Sequence, residues 1–340
     1  MQRTDNKKED IKFIQPETIK RLARDVRQIN KSPLTSNGIY YRHDEDNILK
    51  GYAMIIGPQD TLYENGYYFF AFDYPHDYPS SPPTVTFRTN QDKVRFNPNL
   101  YTSGKVCISL LNTWRGEQWT SCQSISTILL TLCTLLTNEP LLNEPGVQQR
   151  HRDFKPYNRI IEYENINIAI FNIIDKSPSL YLPWFDMFYD DALINFTNNL
   201  SSIRKNIENI VKRNKHFLHE ESNLVTANIY RMTIPVDYNN IITRFNNMFV
   251  KYSTAEQLTS WVAIPTIDPP IIKKRTHEPD DKYKETMDLL DQLTETSSAE
   301  KISSYTIIPP STPTPKKLGK PKHSKIIVKK KLSKKDMDVN

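Results

Sequence analysis

Between Pro16 and about Asn30 the apolar residues Ile19, Leu22, Ala23, Val26 and Ile29 follow the i, i+3, i+4, i+7 spacing of one helix face, with proline at the start where it is tolerated. Ser32-Pro33 ends the segment, because a residue before proline is pushed out of the α region. The opposite face carries Lys20, Arg21, Arg24 and Arg27, which spacing alone reads as a solvated face. The period then changes. Ile39–His43, Leu49–Ile56, Tyr67–Asp73 and Thr84–Arg88 are rich in Tyr, Phe, Ile and Val, and turn signals separate them at Gly57-Pro58, Asn65-Gly66 and the proline-dense Tyr74–Pro83. Short turns between four strands predict an antiparallel meander, which needs a helix on one face to bury it. The helix at 16–30 is one candidate. Ser124–Thr137 is another, with Ile125, Ile128, Leu129, Leu132, Leu135 and Leu136 on a broad apolar face and Ser124 placed to cap it. The expected class is α+β.

After Gly146 strand alternation largely disappears. The stretch 155–260 reads as helices, for example Tyr157–Ile174, Tyr181–Asn195 and Ser201–Phe217. Beyond about Asp268 periodicity is lost and Pro, Thr, Ser and Lys take over, with ten lysines between Lys316 and Lys335. Such a composition buries too little apolar area to offset the cost of ordering it, so disorder is expected there.

Composition changes this picture little. The chain has 340 residues, 38% hydrophobic and 25% charged, enough for two domains of an ordinary soluble kind. The longest apolar stretch, Ile128–Leu136, is broken by Thr and Cys and falls short of the ~20 residues that span a bilayer. Residues 1–8 are polar without a following apolar core, so no signal peptide is expected. The net charge of +6 concentrates in the tail. Cys107, Cys122 and Cys133 are too few and too irregular for a disulfide framework, and no C-x-x-C or histidine cluster suggests a metal site. The reading is a reducing compartment, cytoplasm or nucleus, with neither metal nor cofactor.

The chemistry lies in Arg95–Leu111. An Asn97-Pro98-Asn99 turn leads through a loop with Gly104 into a short apolar run centred on Cys107. A lone cysteine in such a run is commonly a buried small hydrophobe. Against that, Asn-Pro fixes a bend that can aim amide side chains at one point. The run is also short and is followed by a loop containing Asn112, Trp114, Arg115, Gly116 and Glu117.

With these residues in hand, 16–148 resembles the catalytic core of ubiquitin-conjugating enzymes. The family's Tyr-Pro-x-x-Pro-Pro segment is matched by Tyr78-Pro79-Ser80-Ser81-Pro82-Pro83. Its His-Pro-Asn tripeptide is matched by Asn97-Pro98-Asn99, with Asn99 eight residues before Cys107, and its later tryptophan by Trp119. The likeness is greatest to the large members, Z-type first, with the O-type and giant inhibitor-of-apoptosis type alongside. These have Asn in place of the tripeptide His, Trp-x-Gly after the cysteine and Asn-Glu-Pro-Gly after the second helix. Here those are Asn97, Trp114-Arg115-Gly116 and Asn143-Glu144-Pro145-Gly146. The resemblance divides the chain into a polar leader (1–15), a ubiquitin-conjugating catalytic core (16–178), a mostly helical extension (179–267) and a disordered basic tail (268–340).

The resemblance implies that Cys107 takes ubiquitin, or a ubiquitin-like protein, from an activating enzyme as a thioester in an ATP-dependent pathway, then passes it to a lysine or a ligase. It implies Asn99 as oxyanion donor, beside the alternative that its amide only locks the turn. It suggests Glu144 as the acid near the attacking lysine, and Lys20, Arg21, Arg24 and Arg27 as the face that docks the activating enzyme. Ser109 replaces a common Asp, and Ser80 with Ser121-Cys122 replaces residues that many members use to grip ligases, which leaves the choice of ligase open. Cys122 and Cys133 read as structural. Leu110 and Leu111 suit either the modifier's tail or the core. For the lysine-rich tail the readings are solubilising segment, nuclear-import signal, or weak nucleic-acid or acidic contact. A conjugation-dead binding module of the same fold is the competing reading.

Overall fold

A computed structural model of the chain describes residues 13–89, 94–214, 223–259 and 261–267, all within one compact unit. The predicted opening helix is α1, Pro16–Lys31, and it packs against α2, Ile125–Thr134, whose N-cap Ser124 accepts from Thr127 N as expected. Strands β1 (Ile39–His43), β2 (Lys50–Ile56), β3 (Tyr67–Asp73) and β4 (Thr84–Phe87) form an antiparallel sheet in chain order, the predicted meander. Register pairs Tyr52 with Ala71 and Met54 with Phe69, so Tyr52, Met54, Phe69 and Tyr67 share one face, while Ala53, Ile55, Tyr68, Phe70 and Phe72 share the other.

Both faces of the middle strands are covered, and Tyr67 to Phe70 are all buried. One face belongs to the core that holds Ile128, Leu129 and Leu132 of α2. The other is roofed by a 3-10 turn, Pro183–Phe188, and by α4, Tyr189–Asn198. Phe185 stacks on Phe69 with ring centroids 3.8 Å apart, Trp184 stacks on Tyr52 at 4.7 Å, and Tyr67 OH donates to Asn195 Oδ1. The boundary at 178 therefore marks no break in packing: the stretch 179–267 shares its core with the sheet instead of standing apart from it.

Helix α3, Phe154–Glu164, continues as a π-helical stretch, Asn165–Asn172, within the predicted Tyr157–Ile174 segment. There buried Asn165 accepts from Tyr68 OH and donates to Glu64 O. Helix α5, Leu200–Arg213, follows α4. The stretch past 155 is mostly helical, as expected, with one exception. Leu224–Ala227 (β5) and Met232–Pro235 (β6) form a hairpin before α6, Tyr238–Tyr252, and short α7, Ala255–Thr259. Two four-residue strands give too few alternations for a periodicity reading to separate from loop.

The end of the described chain returns to α6. Asn246 exchanges two hydrogen bonds with the backbone of Ile264, and Asn239 does the same with Ile267. Seven residues along a helix span about 10.5 Å and three residues near full extension about 10 Å, so the two pairs fall in step. Trp261 stacks on Phe249 beside them. The leader to residue 12, and the tail from 268 with its expected disorder, lie outside the described residues.

Candidate active site

Two turns build the site. In the first, Asn97 Oδ1 accepts from Asn99 N at 3.0 Å, while Asn97 Nδ2 donates to Leu135 O at the end of α2. This buried asparagine thus fastens the Asn-Pro-Asn bend both to itself and to the central helix. Tyr63 OH reinforces the bend by donating to Phe96 O. In the second turn Gly104 has φ +88, and an added Cβ there would meet Phe87 O at 2.9 Å, so only glycine lets the loop lie against β4.

Just past the second turn Cys107 is held by Asn99 at both backbone groups. Cys107 N donates to Asn99 O at 2.9 Å, and Asn99 Nδ2 donates to Cys107 O at 2.7 Å. Rotating the amide by 180° would set oxygen against oxygen, which fixes its orientation. Asn99 Oδ1 is buried without a hydrogen-bond partner, and the amide keeps a second N–H beyond the one spent on Cys107. Cys107 itself is 2% exposed.

Sequence reasoning missed Thr113. Its hydroxyl accepts from Ile108 N and lies 3.0 Å from the carbonyls of Val106 and Ile108, one of which takes its proton. The residues on both sides of Cys107 are therefore tied to one side chain. Its only signal was its place just before Trp114. The loop closes where Asn112, in the left-handed region, accepts from Trp119 N, and Trp119 Nε1 donates to Pro79 O. The matched proline segment and the matched tryptophan are thus one contact.

Leu110 and Leu111 are buried. Leu111 also lines a groove of about 380 Å³ with Pro83, Thr84, Thr86, Lys105 and Val106. Glu144 takes no part in the hydrogen bonds that hold Cys107: its Oε2 accepts from Tyr230 OH at 2.5 Å. Cys122 is exposed, so it does not have the packing role expected of it. Cys133 is half-buried on α2, and burial pushes its thiol up.

The basic face of α1 needs a correction. Lys20, Arg24 and Arg27 are exposed, but Arg21 is only 8% exposed. Its Nε reaches both oxygens of buried Asp25 at 2.8 and 2.9 Å, and its other nitrogens donate to Ser121 O and Gln123 O. Tyr78 OH donates to the same carboxylate at 2.7 Å. Burial, and after it this bond, pushes the phenol well above its ordinary value, so it stays a donor. Arg21 thus serves the interior, joining α1 to the 121–123 loop, because its helical phase lies next to Leu22 and Asp25 and not with the outer cations.

Among the described residues no group of three or more His, Cys, Asp or Glu could hold a metal, and no helix is long and apolar enough to cross a membrane.

A family profile described as Ubiquitin-conjugating enzyme matches residues 21–165. Ubiquitin-conjugating enzyme E2 Z of Homo sapiens is 42% identical over 163 residues, 47% of this chain and 46% of its own length. Probable ubiquitin-conjugating enzyme protein 17 of Caenorhabditis elegans is 39% identical over 164 residues, 44% of this chain and 22% of its own. Dual E2 ubiquitin-conjugating enzyme/E3 ubiquitin-protein ligase BIRC6 of Homo sapiens is 43% identical over 138 residues, 38% of this chain and 3% of its own. The match thus spans about half the length of E2 Z, and a small part of the other two. The matched residues contain the whole Asn97–Cys107 arrangement, the Trp114 loop and the Asn143–Gly146 segment on which the resemblance was read. Over residues 21–165, this chain is similar to the ubiquitin-conjugating enzyme family.

Proposed function

We propose that the chain is an active ubiquitin-conjugating enzyme with Cys107 as its acyl carrier. The observation that carries this is the pair of hydrogen bonds by which Asn99 holds Cys107 N and O inside a doubly locked turn. In the first step the Cys107 thiolate attacks the thioester carbonyl that joins ubiquitin, or a ubiquitin-like protein, to the activating enzyme. A new C–S bond forms and the activating enzyme's thiolate leaves. In the second step a neutral lysine amine attacks the Cys107 thioester. The C–N bond forms, the C–S bond breaks with Cys107 leaving as thiolate, and the amine sheds a proton. A ligase cysteine in place of the lysine repeats the first exchange.

The second N–H of Asn99 is the donor assigned to the tetrahedral oxyanion. Glu144 is the carboxylate assigned to the amine's proton, although Tyr230 already donates to it. Lys20, Arg24 and Arg27 form the exposed face offered to the activating enzyme, and the Leu111 groove is offered to the modifier's tail. Partners of the whole protein are accordingly an activating enzyme, a modifier, and a ligase or direct substrate, in cytoplasm or nucleus. Charge alone supports a weak nucleic-acid contact by the Lys316–Lys335 stretch.

Incubation with activating enzyme, ATP and ubiquitin tests the reading. It should give an adduct that a thiol reductant cleaves, and Cys107→Ser should leave a reductant-resistant ester instead. No adduct with any of several modifiers, or one that survives Cys107→Ala, overturns it.

A further inference from the structure

The β5–β6 hairpin lies outside the matched residues 21–165, yet its turn meets Arg95 in the segment that leads into Asn97-Pro98-Asn99. The turn is fastened by Asp153, which accepts from Ile229 N at 2.9 Å and from Asn228 Nδ2 at 3.2 Å. Tyr230 follows, just before Arg231 in the left-handed region. Its ring lies 4.2 Å from the guanidinium carbon of Arg95, and Tyr101 holds the same guanidinium at 3.8 Å. Arg95 Nη2 donates to Pro98 O at 2.5 Å, on the middle residue of the turn. The next residue is Asn99, which holds both backbone groups of Cys107.

The hydroxyl of Tyr230 points to the other support of that turn. It donates to Glu144, and the adjacent Asn143 donates to Asn97 Oδ1 at 3.4 Å. One side chain therefore contacts both segments that carry the Asn-Pro-Asn bend. A cementing role alone would need neither a charge-assisted reach to Pro98 O nor a buttress on each side of the bend.

We propose that Tyr230 is a positioning residue for acyl transfer from Cys107, setting Arg95 against the Asn97–Asn99 turn with its ring and the Glu144 loop with its hydroxyl. This rests on Cys107 being the acyl carrier. The hairpin is then part of the catalytic apparatus although it falls beyond the matched domain.

The test uses the full chain with Tyr230→Ala, Tyr230→Phe and Arg95→Lys. Each is charged with fluorescent ubiquitin and stripped of activating enzyme, and the first-order loss of the thioester is followed against lysine concentration. This rate constant describes charged molecules only, so a partly misfolded sample lowers the amplitude and leaves the constant alone. Tyr230→Ala and Arg95→Lys should lower the limiting rate tenfold or more while the half-saturating lysine concentration stays within twofold. Tyr230→Phe keeps the ring and should fall between them and the parent. If Tyr230→Ala does not fold, the other two carry the comparison. Limiting rates within twofold of the parent in every variant that charges overturn the proposal. Failure of the parent chain to charge at all overturns the acyl-carrier reading, and this inference with it.

Discussion

Replacing Arg21 should damage folding, whereas replacing its exposed neighbours should damage only recognition. In Arg21→Ala the Asp25 carboxylate, 2% exposed at its side chain, would keep Tyr78 as its close donor, while Arg24 Nε stands off at 3.9 Å on a side chain that is 69% exposed. Removing one partner of a buried pair costs about 3–5 kcal/mol, because the other charge is left uncompensated. Ser121 O and Gln123 O also lose their donor, but they lie near solvent and add little. For a body of this size each kcal/mol lowers Tm by about 2–4 °C, which gives a drop of roughly 10 °C. Lys20→Ala, Arg24→Ala and Arg27→Ala should each stay within about 0.5 kcal/mol of the parent.

Thermal unfolding followed by circular dichroism separates the two groups, and charging kinetics at a temperature where all variants are folded complete the comparison. There the triple substitution of Lys20, Arg24 and Arg27 should raise the protein concentration needed for half-maximal charging, most strongly at low salt. A paired change provides an internal control. Arg21→Met with Asp25→Leu replaces both charges by apolar volume and should recover much of the stability lost in Arg21→Met alone. An Arg21→Ala protein that melts with Lys20→Ala would refute the buried-pair reasoning, and so would a double variant less stable than the single one.

Other substitutions test the remaining parts. Phe185→Ala removes the ring stacked on Phe69 and should cost about 3–5 kcal/mol in chemical denaturation, since the site is walled by other aromatics and collapses poorly. Asn99→Ala should still form the thioester in the presence of excess activating enzyme but lose about 100- to 1,000-fold in discharge to lysine, the usual cost of removing an oxyanion donor. Near-parent discharge would leave Asn99 with its turn-locking role alone. Burial raises the Glu164 carboxyl above its ordinary value, against the opposing hydrogen bond from Asn167 and the charge of Arg244. The folded state then binds more protons than the unfolded one, so stability falls as pH rises from the ordinary glutamate value through the raised one. Glu164→Gln should therefore flatten the stability profile over that window and gain stability above it. A denaturation series from pH 4 to 8 decides.

The legible parts of this sequence were those in which local pattern and tertiary demand agree. The meander could be read because short turns and aromatic strands leave few alternatives, and the meeting of Asn99 with Cys107 could be expected because the two stand at a fixed, short separation. Arg21 was misplaced because a helical wheel assigns a cation to water by default. Asp25 stands four residues on along the same helix, but only the fold buries the pair and brings Tyr78 and two carbonyls around it. Tyr67–Phe70 carried a signal left unused: four consecutive aromatics without alternation mean cover on both faces, whereas the meander argument asked for cover on one. The hairpin had no comparable signal, as its strands are four residues long and its turn is tied to Asp153, more than seventy residues away.

That long reach bears on what the residues after 178 do. Among their several contacts with the residues before 178, two differ sharply in chemistry. Over the sheet the contact is apolar and broad, through Trp184, Phe185 and Phe188, and acts as stability does, on the whole body. At the Asn-Pro-Asn bend the contact is polar and narrow, through Tyr230 and Arg95, and acts on one turn. The two should therefore separate experimentally. Roof substitutions should shift unfolding and leave the discharge rate of charged molecules unchanged. Hairpin substitutions should shift the discharge rate and move unfolding little. If instead every substitution after 178 moved both quantities in proportion, the stretch would be acting only as cover for the core, and the hairpin would have no catalytic share of its own.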